Sequence, residues 1–163
     1  PNSVTSIGIF AFQFCKGITS ITIPSSVTRI GEFAFEGCVG LTSITIPNKV
    51  TSIGLYAFSN CTNLISITIG NDVKSIGKGS FMGCNSLISI TIPDSVTKVG
   101  GDAFYNCSKL ETVKIKSKCP PNVENNIFDR CTQLQNIYVP KKSIDLYKES
   151  YKEFTFVDKI KGF

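Results

Sequence analysis

The chain has 163 residues, no Trp and no His, 42% hydrophobic and 18% charged residues, and a formal net charge of +5. The hydrophobic share excludes a disordered tail, no apolar run reaches the ~18 residues of a transmembrane helix, and the commonest general base is missing. Six Lys/Arg face five Asp/Glu in residues 1–108 and eleven face seven in 109–163, so the basic excess lies at the C-terminal end.

There the signs alternate (Lys148, Glu149, Lys152, Glu153), which reads as a solvated face. No clustered basic stripe supports a nucleic-acid partner. The chain begins at Pro1 with no basic or apolar leader segment. Pro1 sits where a strand would just have ended, so the native protein is expected to continue upstream.

From Val4 onward the sequence repeats. Val4, Val27, Val50, Val73 and Val96 stand 23 residues apart, and so do Phe12, Phe35, Phe58, Phe81 and Phe104. Cys15, Cys38, Cys61, Cys84 and Cys107 keep the same step, and a sixth copy follows one residue late with Phe128 and Cys131. The delay falls in "SKCPPNVENN". Within a copy, "LTSITIP" (41–47) predicts a short strand with Ile44 and Ile46 inward and Ser43 and Thr45 outward. Pro47 ends it, having no N–H to donate. "VTSIG" (50–54) predicts a second extended piece that turns at Gly54. "AFSNC" (57–61) is too short for an α-helix and predicts a tight, 3₁₀-like turn that drives Phe58 inward. One copy cannot bury both of its faces, so stacking of successive copies has to complete the core. In-register parallel strands about 4.8 Å apart make six coils a rod of roughly 29 Å.

The L-x-x-I-x-I signature with a 23-residue period resembles leucine-rich repeats. With "IG", "AF", "C" and a Pro after the strand, it is similar to the BspA-like class of that family, over nearly the whole chain. The resemblance implies a right-handed β-rich solenoid with short strands, an array over 1–139 and a C-terminal cap over 140–163. In the cap, Ser143 is a candidate N-cap for a helix carrying Ile144, Leu146, Tyr147 and Tyr151. Ile144, Tyr147 and Tyr151 have the spacing to lie on the last coil, and "FTFV" (154–157) predicts a final strand.

Seven cysteines invite a metal or disulfide reading, but gaps of 23 or 24 without His do not fit zinc ligation. Side chains stacked in register do not aim at each other well enough for disulfides. Six are expected to form a buried ladder of free thiols, with Cys119 apart among the prolines. Asn60-Cys61-Thr62 and Asn106-Cys107-Ser108 match the glycosylation sequon only because an Asn precedes the repeat's Cys. No G-x-S-x-G and no phosphate-binding loop occurs, and Asp72, Asp94 and Asp102 are isolated, so neither an enzyme nor a cofactor is expected.

What remains is surface. The outward strand positions form two columns: Ser20, Ser43, Ser66, Ser89, Thr112 and Asn136, and Thr22, Thr45, Thr68, Thr91, Lys114 and Tyr138. They are the candidate partner-binding residues, with Lys114 and Tyr138 as the distinctive end. Phe10, Phe14, Phe33, Tyr56 and Tyr105 fall off the core positions and form a candidate apolar patch. The resemblance implies an adhesin-like protein at the cell surface or secreted, contacting host or matrix proteins. The alternatives are an assembly repeat, self-associating through an uncapped N-terminal edge, or an intracellular scaffold.

Overall fold

The structure, a computed structural model, describes residues 3–163. Alternation along each copy produces two parallel ladders that run the length of a β-solenoid. Two-residue strands at Ser6–Ile7, Arg29–Ile30, Ser52–Ile53, Ser75–Ile76, Lys98–Val99 and Asn122–Val123 pair in that order. The second ladder is interrupted: Ser43–Thr45 pairs with Ser66–Thr68, and Ser89–Ile92, Thr112–Ile115, Asn136–Val139 and Ile160–Gly162 pair in that order as a separate sheet. Ile44 lies opposite Ile67 and Ile90 opposite Val113, so inward side chains stay inward from coil to coil.

The turn forms a third ladder. Ala57, Ser59 and Cys61 N–H groups close i→i+3 bonds to Gly54, Tyr56 and Phe58. The intervening Tyr56, Phe58 and Asn60 N–H groups donate to Lys78, Ser80 and Met82 of the next coil at 2.9, 2.7 and 2.7 Å. The segment has the closure of a 3₁₀ turn, but left-handed residues interrupt it. Phe10, Phe33, Tyr56, Gly79, Asp102 and Asn126 hold one positive-φ position, and Phe14, Gly37, Asn60, Gly83, Asn106 and Arg130 the other. Gly and Asn tolerate this region best, which explains the Asn of both sequon matches.

The core is one continuous column set, with Val50, Phe58, Cys61 and Leu64 and their equivalents in neighbouring coils fully enclosed. Phe12, Phe35, Phe58, Phe81, Phe104 and Phe128 stack with centroids 5.0 to 5.5 Å apart. Phe156 closes the stack edge-on at 5.2 Å. The six cysteines of the column are free thiols, five of them buried as expected and Cys15 half-buried at the first coil; Cys119 is free and exposed. The buried ones do more than fill space. Cys38, Cys61, Cys84, Cys107 and Cys131 each donate Sγ–H to the Phe carbonyl of the preceding coil at 3.1 to 3.3 Å. That carbonyl also accepts the N–H of its own coil's Cys, so both of its lone pairs are used.

The repeat glycines serve stacking more than turning. A Cβ on Gly54 would lie 2.5 Å from the carbonyl carbon of Gly31, and Gly31 and Gly77 are as crowded against the coil before them. Only a bare Cα permits that approach.

The cap departs from its sequence reading in two places. Ser143 does stand at the N-cap of the helix at Ile144–Ser150, but it is buried and makes no side-chain cap bond; a 3₁₀ turn at Lys141–Ser143 leads into the helix. The final strand is Ile160–Gly162, not 154–157, because Phe154 and Phe156 turn down onto Tyr151 and the Phe stack. Tyr147 and Tyr151 do face the last coil, donating their hydroxyls to the carbonyls of Ser117 (2.9 Å) and Pro121 (2.7 Å). Leu146 points outward.

Candidate functional site

Pairing along the second ladder sets the two outward columns side by side. Ser43 lies opposite Ser66 and Thr45 opposite Thr68. Ser89 lies opposite Thr112 and Thr91 opposite Lys114, and beyond them Asn136 and Tyr138 continue the two files. Ser20 and Thr22 are exposed at the head of these columns but belong to no strand. The Lys114–Tyr138 end is less open than the alternation suggests. The last strand places Lys161 beside Tyr138, and the Lys114 ammonium sits 4.0 Å from the centre of the Phe163 ring.

Sequence reasoning missed three features of this face. Ile65 and Ile88, 50% and 46% exposed, precede Ser66 and Ser89 in adjacent coils and supply the apolar surface that the hydroxyl columns lack. Their column reads Thr19, Thr42, Ile65, Ile88, Glu111, Gln135, so aligning the copies reveals them. Phe163 was invisible because its contact spans 49 residues of chain, from Lys114. Third, Gly70 stands where other coils carry Pro24, Pro47 and Pro93, and a groove of about 830 Å³ opens between Pro47 and Pro93.

The turn edge carries the expected aromatic patch in part. Phe10, Phe33 and Tyr56 stack at 5.2 and 5.4 Å, and the Tyr56 ring covers Gly79. Phe14 lies over Gly37, whereas Tyr105 stands apart against Arg130.

The interior thiols are chemically quiet, whereas Cys131 at the end of the column has its pKa lowered by its neighbour Cys107. Burial pushes the Cys38 and Cys61 thiols up and takes Cys84 up to about 12, far from a reactive thiolate. On the first ladder, Glu124 is held below the usual carboxylate range by the Gly101 N–H and then by Lys98 of the neighbouring strand. Among the described residues no group of three His, Cys, Asp or Glu could hold a metal ion, and no helix is long and apolar enough to cross a membrane.

The family profile described as "BspA type Leucine rich repeat region (6 copies)" matches residues 1–81 and 62–161. The chain belongs to the BspA-type leucine-rich-repeat family. Solved structures agree with these BspA-type coils. The leucine-rich repeat protein TpLRR of T. pallidum is 28% identical with a TM-score of 0.70, over 76% of this chain and 60% of that one. One from Eubacterium ventriosum is 29% identical with a TM-score of 0.73, over 84% of this chain and 37% of that one. A leucine-rich cell surface protein of Faecalibacterium prausnitzii is 27% identical with a TM-score of 0.53, over 85% and 52%. The chain thus spans between about a third and three fifths of these relatives. No curated protein matches it.

Proposed function

We propose that this BspA-type array is a non-catalytic protein-binding module of an adhesin-like protein at the cell surface or outside the cell, with host or matrix proteins as partners. The observation that carries the reading is the outward sheet. Two files of hydroxyl side chains, bordered on one side by the half-exposed Ile65 and Ile88, lead to Tyr138. Apolar surface adjoining polar groups is the usual anatomy of a protein contact. The Faecalibacterium relative, named a cell surface protein, supports the location. Immobilised, purified matrix proteins titrated with the chain test it. An Ile65→Asp/Ile88→Asp variant should weaken capture roughly tenfold or more, since apolar anchors carry most binding energy. Equal capture by wild type and variant, or no capture across the panel, would refute it.

A second reading, homotypic association, has its own observation. In the first coil Ile9, Phe10 and Phe14 are all more than half exposed, beside an apolar hollow of about 340 Å³ lined by Ile7, Phe12, Ile21 and Ile23. Light scattering decides between them. A mass that rises with concentration and reverts to monomer in Phe10→Ser/Phe14→Ser favours assembly; a constant monomer mass rules it out.

A further inference from the structure

We propose that the groove at the strand ends binds an acidic linear polysaccharide, a ligand class independent of the protein contact proposed above. Lys49, Lys114 and Lys116 line the groove and no carboxylate does; the neighbouring Asp72 and Asp94 are exposed outside it. Among the described residues none of these three lysines is in an ion pair, whereas Lys78, Lys98 and Lys152 each face a carboxylate. Lysines clustered without counter-charge make a site for anions, and an ammonium on a flexible stem suits sulfate or carboxylate groups of varied geometry.

The shape calls for a linear ligand. Thr45, Thr68, Thr91 and Lys114 follow one another coil by coil, so the groove runs about 14 Å at the spacing of stacked strands. Lys49 stands near one end and Lys114 and Lys116 near the other. Lys116 fills the position where other coils end their strand with proline. The Phe163 ring holds the Lys114 ammonium in place.

The lining chooses between a glycan and an acidic peptide. No Trp, Tyr, Phe or Arg lines the groove, so it lacks the anchors of a protein hot spot. Over a floor of Ile46, Ile67 and Ile69, the middle offers hydroxyl and amide groups: Thr68, Thr91, Asn48 and Asn71, with Asn48 Oδ1 accepting the Asn71 N–H at 3.0 Å. Such groups suit a chain of sugar hydroxyls carrying spaced anions.

The test is fluorescence anisotropy of a labelled heparin octasaccharide with the full chain, at several salt concentrations. Lys49→Gln/Lys114→Gln/Lys116→Gln should weaken binding roughly tenfold or more and lower the logarithmic salt slope by about two to three. A control with the same change in charge, Lys74→Gln/Lys109→Gln/Lys148→Gln, should stay within about twofold of wild type at physiological salt, where distant charges are screened. If the triple variant unfolds by circular dichroism, Lys49→Gln alone takes its place, with a slope reduced by about one. No binding by wild type overturns the proposal, as does an equal loss in the control. Tighter binding of a polyglutamate peptide than of heparin would assign the groove to acidic protein segments and overturn it too. The outcome does not depend on capture of matrix proteins.

Discussion

The first coil and the interior coils are written in nearly the same letters, yet they are physically different. Phe35, Phe58, Phe81 and Phe104 are wholly buried, while Phe12 is only half-buried at the identical position. Cys15 is likewise half-buried where Cys38 and its successors are enclosed. Ser20–Ile23 repeats "SITI" but forms no strand; there the next coil bonds only to the Thr19 carbonyl just before it, through the Thr42 N–H at 3.3 Å and the Thr42 hydroxyl at 3.5 Å. Burial therefore belongs to the stack and not to the motif. A residue acquires its role from neighbours one coil before and one coil after.

The largest expected break in this comparison is at the Phe column. Phe58→Ala should cost about 3–5 kcal/mol, the range for a fully buried aromatic, and Phe12→Ala less than half of that, read from urea midpoints. Equal losses would mean that the ends are as well packed as the middle.

The glycine column sharpens the contrast. Gly54→Ala should destabilise by about 1–3 kcal/mol because its methyl must push into backbone, and backbone cannot swing aside. Gly8→Ala, with no atom within 4 Å of the new methyl, should stay within about 0.5 kcal/mol of wild type.

The thiols give a smaller effect that depends on pH. Cys84 titrates near 9.0 when unfolded and is pushed up to about 12 by burial when folded. Its contribution is complete below about pH 9 and is lost as pH rises through about 12, because the unfolded chain gives up that proton first. Chemical denaturation followed over that window should show a gentler decline in Cys84→Ser if the hydroxyl keeps the bond to the Phe58 carbonyl. An identical decline would remove the thiol from the account.

The smallest effect is a gain. Ser80 occupies the alanine column of Ala34, Ala57 and Ala103, and its hydroxyl is buried without a hydrogen-bond partner. Ser80→Ala should raise stability by about 1 kcal/mol, seen as a higher urea midpoint.

Much of this was legible in the chain. The 23-residue step fixes which side chains share a column, so the core, the two ladders and the outward files of Ser and Thr could be read before any coordinates. Local chemistry was harder to read. A cysteine among apolar residues reads as a small hydrophobe, and the carbonyl that accepts its S–H hydrogen bond lies 26 residues earlier. Comparing copies down a column would have exposed the left-handed positions. Gly79, Asp102 and Asn126 share a site with Phe10, Phe33 and Tyr56, and three residue types that tolerate positive φ mark its backbone. The cap was the least legible part because it does not repeat. Ser143 has the right residue type for a cap but is buried, and "FTFV" has strand propensity yet serves as packing. Of the candidate site, the columns were visible, while Ile65, Ile88 and the groove arise from departures within single coils.

The one irregular coil has a wider consequence. Its extra residue is absorbed in Ser117–Pro121, and pairing resumes with Asn122 opposite Lys98 and Val123 opposite Val99. The two cap tyrosines bind the carbonyls of that same stretch, so the slack lies where the lid grips it. Elsewhere the first ladder and the turn bonds tie each coil to the next. Length in such a chain can therefore change only by whole units: a clean duplication or excision of one period leaves every column aligned, while any other insertion has to find a stretch held by side chains rather than by the ladders.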